Sequence, residues 1–433
     1  MRVFTQFSPA LRWNLIVLFI AGLCFWAGLA GLLPSLPLYI EQFGANGQQI
    51  GLVMASFGLG LIALRPTMAH ITDTWGRKPA ILMGLSAIAA APLAYLLVQM
   101  LPEFTWTVTL GERAWQVRSP LLLMMLFRAG HGLSIAAFVT GYSALIADLA
   151  PPDQRGELIG YMSLVNPIGM ALGPALGGFL QSGSGFALVF LSMASIGGVG
   201  LLCASTVTEP VRDAALKDAT QKIGRTKFWS LLWLPSIRVP AIMLLLVGLA
   251  FGSLATFIPL YARESNLAVN VGLIYTASAI ASFVIRLLVG KASDRYGRGR
   301  FITVGLVLYT LSMAVLWWAP SEAMVLLAGA IQGAGGGMLI PMVAALMADR
   351  STPEQRGLMF GLCLTGFDVG IALSGPVMGQ IADLTSYRDI FAIAGLMTLV
   401  GLVVFVTTSS KDFAHSVRFA LAGGRDVYAV PSP

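Results

Sequence analysis

Residues 65–78 read RPTMAHITDTWGRK, and residues 286–299 repeat the pattern as RLLVGKASDRYGRG, 221 positions later. Each copy carries an arginine eight residues before an aspartate and closes on Gly-Arg, and apolar sequence flanks both. LIADLAPPDQRG at 145–156 matches LMADRSTPEQRG at 346–357, and Pro37-Leu38-Tyr39 matches Pro259-Leu260-Tyr261. The chain is therefore a duplication, two halves whose loops have drifted in length.

The flanking sequence says what each half is made of. Apolar runs of about 20 residues, enough to cross about 30 Å of hydrocarbon, are expected near 13–40, 48–69, 79–101, 121–147, 157–181, 185–207, 239–262, 270–290, 301–319, 323–347, 358–382 and 389–409. Of 433 residues 57% are apolar and only 11% charged, too few to coat a soluble domain, which needs about a quarter charged. The runs are apolar on nearly every face, whereas barrel strands alternate. The expected fold is an all-α membrane protein of twelve transmembrane helices, arranged as two six-helix bundles related by a pseudo-twofold axis.

Basic residues orient it. With both termini in the cytoplasm, only Arg113, Arg118, Arg263 and Arg388 of the 27 lysines and arginines fall on outer loops, and Arg65, Arg128 and Arg286 fall inside spans. The inverted topology violates the positive-inside rule. The net charge of +7 thus reports topology and contact with the lipid bilayer, not nucleic acid. Cys24, Cys203 and Cys363 all sit in expected spans, which points to neither disulfides nor a metal cluster. The first span is too long for a signal-peptide core and reads as retained.

The expected domains are an N-terminal bundle over 1–207, a cytoplasmic linker over 208–238, a C-terminal bundle over 239–410 and a cytoplasmic tail over 411–433. In the linker, Phe228, Trp229, Leu232 and Trp233 beside basic residues read either as a short interfacial helix or as the frayed start of span seven. The tail from Asp412 onward, short and Gly-rich, is expected to be disordered.

A duplicated Asp-x-x-Gly-Arg signature, Asp73-Gly76-Arg77-Lys78 and Asp294-Gly297-Arg298, follows spans two and eight. Over essentially its whole length the sequence resembles the major facilitator superfamily. That resemblance implies two bundles rocking about a central cavity, with no cofactor. Glycine allows the tight turn, and charges at helix ends can latch neighbouring termini. Arg77 is expected to pair with Asp148 and Arg298 with Asp349, as gates at the cytoplasmic side; the plainer reading has these charges only setting topology. Where the family has glycine and arginine, this chain has Ala69 and Thr74, while the second copy keeps Gly290 and Arg295.

Span five, with Gly169, Gly173-Pro174 and Gly177-Gly178, resembles the family's antiporter motif. Glycines four apart let backbones approach and proline bends the helix, which fits either a compliant seam for export or ordinary small-residue packing. The second half keeps Gly370, Gly375 and Pro376 but has Met378 where another glycine pair would begin.

Charges inside hydrocarbon are expensive and so informative. Arg128, followed by Gly130-His131-Gly132, stands at the position of the family's intramembrane arginine, with His131 where glutamine is usual. Asp368 in span eleven is the one acid placed well inside a helix. Asp368 is the expected proton carrier, Arg128 its tuner and His131 a relay; the alternatives are an anchoring arginine, a non-titrating polar lining and a packing histidine. Arg65 and Arg286, about 12 Å up their helices from the loop aspartates, read as cytoplasmic-mouth arginines that snorkel or pair. Candidate cavity residues are Trp26, Tyr142, Asn166, Tyr275, Gln332 and Phe367, an aromatic and amide set suited to an amphipathic organic molecule. No acid lies between Trp13 and Tyr39, where drug-efflux relatives often carry one, which weakens the case for cationic drugs.

The expectation is proton-coupled efflux of a small-molecule substrate by a monomer in the cell membrane, exchanging it against protons. Uptake of a nutrient or organic anion, and a non-transporting assembly factor or sensor, are the competing readings. An enzyme is not expected: there is no Gly-Lys-Ser/Thr phosphate loop, and the three histidines at 70, 131 and 415 are scattered.

Overall fold

Among the residues the structure describes, eleven helices are long and apolar enough to cross a bilayer. The longest, Leu158–Ser205, has 48 residues, about twice what a bilayer requires. It breaks at Gly185, where φ is 78° and ψ is −179°, so it supplies two spans and the total is twelve. The structure is a computed structural model and describes residues 7–110, 113–151, 155–209, 233–351, 356–423 and 426–430. The chain is a multi-pass, all-α membrane protein that separates into two compact units, Met1–Ala45 with Leu52–Gln221, and Asn46–Gly51 with Lys222–Pro433.

The first unit holds α1 (Pro9–Ala30), α2 (Leu36–Glu41), most of α3 (Gly47–Thr74), α4 (Arg77–Val98), α5 (Ser119–His131), α6 (Leu133–Leu149), α7 (Arg155–Ser163) and α8 (Val165–Ser205). Ser8 caps α1 by accepting from the Leu11 backbone N–H, with Pro9 following at the first helical position, an entry that partners one first-turn donor and removes another. The span expected over 13–40 is interrupted after Ala30 and resumes as α2. The fourth span is likewise two helices joined at Gly132. Between α4 and α5 runs an antiparallel hairpin, β1 (Thr105–Leu110) and β2 (Arg113–Arg118), which contains no long apolar run. Its signal is the alternation in TWTVTL.

Lipid tails are as apolar as leucine, so burial drives helix association in a bilayer less than close backbone packing does. A Cβ on Gly169 would strike Trp26, one on Gly173 the Ala27 carbonyl oxygen, and one on Gly177 that of Gly31. The glycines of span five therefore seat α8 against α1 inside the first unit. Phe25 of α1 stacks on Phe138 of α6, ring centroids 3.9 Å apart and planes 7° from parallel, and both are fully buried.

The second unit holds α9 (Pro235–Glu264), α10 (Val271–Tyr296), α11 (Arg298–Trp318), α12 (Glu322–Asp349), α13 (Arg356–Leu384), α14 (Tyr387–Thr408) and α15 (Phe413–Ala422). The glycine device recurs: a Cβ on Gly366 or Gly370 of α13 would meet the carbonyl oxygens of Ala241 or Leu245 in α9. The first turn of α3, Asn46–Gly51, packs within this unit, where the Asp383 carboxylate accepts from the backbone N–H groups of Gly47 (2.7 Å) and Gln48 (3.0 Å). The tail, expected to be disordered, is instead a helix capped by Asp412 at its start and by left-handed Gly423 at its end. The caps are readable in sequence; the Gly-rich composition masked them. Phe228, Trp229 and Leu232 of the expected interfacial helix lie outside the described residues, and Trp233 sits exposed in a turn before α9.

Candidate functional site

The two Gly-Arg turns have matching geometry. Gly76 has φ 119° and Gly297 φ 90°, conformations that glycine adopts without strain, and each lets one helix end and the next begin at once. Arg77 opens α4 with its side chain buried, Nε 3.3 Å from Asp148 Oδ2 at the end of α6. Its Nη1 donates to Asp73 Oδ1 at 2.8 Å and to the Thr72 carbonyl at 2.7 Å. In the second unit Arg298 opens α11, with Nε 3.2 Å from Asp349 Oδ2 at the end of α12 and Nη1 donating to Ser293 Oγ at 2.7 Å. Asp294 is in α10, but its side chain lies outside the described residues. Ser293 stands in the second copy at the position of Thr72 in the first.

Glu209 was not singled out in the sequence, yet it holds the first turn. Its carboxylate accepts from the backbone N–H of Arg77 (2.7 Å) and of Lys78 (2.9 Å), sitting on the positive end of the α4 dipole. Nothing local in the sequence marks it, because its partners are more than 130 positions away.

Within the first unit Arg128, His131 and Tyr95 form one buried group. Arg128 Nη1 lies 3.3 Å from His131 Nδ1 and the Tyr95 hydroxyl 3.0 Å from the same nitrogen. A guanidinium only donates, so Nδ1 is the acceptor, the tyrosine donates to it as well, and the histidine is neutral with its proton on Nε2. The guanidinium also lies 4.5 Å from the centre of the Phe57 ring, a cation–π contact of real strength when dry. Tyr95 is held from behind by Tyr39, whose hydroxyl donates to the Tyr95 carbonyl at 2.7 Å. A proton passing through Nδ1 would have to break both bonds.

Asp368 lies half-buried midway along α13 of the second unit, next to Phe367, whose ring centroid is 5.6 Å from that of Phe251. Arg65 in α3 and Arg286 in α10 are both half-buried. Of the cavity candidates, Tyr142, Tyr275 and Gln332 are buried with their polar atoms engaged in packing. Tyr142 donates to the Met162 carbonyl, Tyr275 to that of Ala255, and Gln332 bridges Ser278 and the Tyr309 hydroxyl. Trp26 packs edge-on to Phe25 and is half-buried, as is Asn166. In span five, Gly169, Gly173, Pro174, Gly177 and Gly178 are all buried. Among the described residues no group of three or more His, Cys, Asp or Glu could hold a metal ion.

A family model described as the Major Facilitator Superfamily matches residues 18–271 and again 266–422. A multidrug resistance protein, MdtG, of Salmonella paratyphi A is 28% identical over 417 residues, 92% of this chain and 95% of its own length. An uncharacterised MFS-type transporter of Salmonella typhimurium is 25% identical over 376 residues, covering 86% of this chain and 90% of the relative. Among solved structures, a D-xylose–proton symporter superposes with a TM-score of 0.71 at 18% identity, over 92% of this chain and 98% of that one. The nucleoside transporter NupG, as its D323A mutant, gives 0.72 at 15% identity, over 90% and 98%.

Proposed function

The chain belongs to the Major Facilitator Superfamily, and we propose that within it this protein exports small amphipathic organic molecules in exchange for protons by alternating access. The observation that carries the reading is the full-length similarity to MdtG. The glycine-lined face of α8 and the paired Gly-Arg turns support it.

In this reading both termini are cytoplasmic, and the pairs Arg77–Asp148 and Arg298–Asp349 close the cytoplasmic side while the cavity faces out. Asp73, Gly76 and Gly297 shape the turns that present the two arginines. Asp368 takes up and releases the proton. Arg128, aimed by His131, sets how tightly that proton is held. Trp26, Asn166 and Phe367 line the substrate path. The protein works as a monomer in this reading. Uptake of an organic anion is the second reading, favoured by a buried cation, Arg128, with no acid in the first span.

Everted vesicles decide between them. Substrate addition to energised vesicles should release protons from the lumen, and Asp368→Asn should abolish that coupled movement while the protein still folds. Unchanged coupled flux in Asp368→Asn removes the residue from the mechanism, and accumulation in right-side-out vesicles in place of everted ones establishes uptake.

A further inference from the structure

The duplication places Arg350 where the first half has Leu149, one residue beyond the paired acids Asp349 and Asp148. A leucine there needs no partner, whereas the Arg350 side chain is 1% exposed and must be satisfied completely. The C-terminal segment satisfies it. Asp426 grips the guanidinium with both oxygens, Oδ2 2.6 Å from Nε and Oδ1 3.0 Å from Nη2. Nη1 donates to the Ser236 carbonyl at the start of α9 (2.7 Å) and Nη2 to that of Ser409 after α14 (3.1 Å). Tyr428 and Phe419 lie against the cation, 5.0 and 5.8 Å away.

The same segment touches the turn itself. The Val430 N–H donates to the carbonyl of Asp349 at 2.9 Å. Arg300 donates to the carbonyls of Leu421 and Ala422, and Thr303 to that of Ala420, which lays α15 along the start of α11. Asp349, half-exposed on its own, is therefore fixed from its carbonyl and from the residue after it. In each unit the chain following the last span folds back on the Gly-Arg turn, through Glu209 in the first and residues 412–423 and 426–430 in the second.

We propose that Arg350 and the C-terminal segment are positioning elements of the second gate, holding Asp349 where Arg298 reaches it. The proposal rests on reading Arg298–Asp349 as a gate pair, but not on proton coupling.

The test is thermal unfolding of the purified full-length protein. Double-mutant cycles over Arg298→Ala and Asp349→Ala are run in the wild-type and Asp426→Asn backgrounds, with Arg77→Ala and Asp148→Ala as the control cycle. The expected result is non-additive melting shifts for the second pair in wild type, reduced by at least about half in Asp426→Asn, with the first pair's coupling unchanged. Arg350→Lys, which keeps the charge but loses the fork, should act like Asp426→Asn and stands in if that variant fails to fold. Equal coupling of the second pair in both backgrounds overturns the proposal, as does equal loss at both pairs. Additivity already in the wild type removes the gate pair and the proposal with it, whatever the vesicle measurements give.

Discussion

Arg128 Nη1 and His131 Nδ1 stand 3.3 Å apart, one turn apart on the same helix, with the arginine obliged to donate and the histidine therefore obliged to accept. Glutamine offers a carbonyl oxygen at about the same reach. His131→Gln should thus transport at close to the wild-type rate, while His131→Leu leaves a buried charged donor unmet, a penalty of about 1.5–3 kcal/mol, or roughly tenfold or more in rate if it falls on the transport step. Initial rates of both variants in vesicles check this. Loss of transport in His131→Gln would favour the relay.

Glu209 bonds two backbone N–H groups at the start of α4. Glu209→Gln keeps the shape but not the charge, and should lower stability by about 1 kcal/mol through the helix dipole and the weaker hydrogen bonds. Glu209→Ala should cost more, and its transport rate should fall because Arg77, whose own N–H is one of those donors, loses its fixed start. Thermal melts of the two variants beside Arg77→Ala measure the ordering.

Gly177 and Gly183 lie on the same helix and differ in what surrounds them. A Cβ on Gly177 meets the Gly31 carbonyl oxygen, and one on Gly183 meets nothing within 4 Å. Gly177→Ala should force α8 from α1 and destabilise by about 1–3 kcal/mol. Gly183→Ala should be neutral or stabilising by up to about 1 kcal/mol. If Gly177→Ala melts like the wild type yet loses transport, the span-five glycines serve the coupling reading rather than packing.

How much of this was legible follows from the range of each interaction. The twelve spans and the twin Gly-Arg turns are written locally, in runs of apolar residues and in patterns of a dozen positions. Glu209 and Asp426 are ordinary surface-type acids by sequence, and their partners are 132 and 76 positions away, so no local pattern marks them. Arg350 carried a readable signal, a cation standing opposite Leu149 in the repeat, visible once the two halves are aligned residue by residue. For Tyr142, Tyr275 and Gln332 a polar group in a span reads as lining, and the carbonyl or hydroxyl that each meets is a distant partner that no local pattern gives.

Asp412 makes the tail sensitive to acid. It caps α15 through the His415 backbone N–H at 2.9 Å and meets His415 Nδ1 at 2.7 Å. First the backbone bond and then the side-chain contact hold its carboxyl below the usual carboxylate range. A carboxyl lowered by folding contributes stability that is fully present above its unfolded value, about 4, and lost as the pH falls through the lower folded value. Trypsin cleavage after Lys411 and Arg418 depends on α15 being docked, but trypsin fails in acid, so pepsin digestion of the tail between pH 5 and pH 2 is the usable probe. Tail cleavage relative to the rest of the chain should rise as the pH falls below the carboxylate range. Asp412→Asn, which caps without titrating, should flatten that rise. A wild-type profile identical to that of Asp412→Asn would mean that the cap contributes nothing to docking, and that Arg350 with Asp426 holds the segment alone.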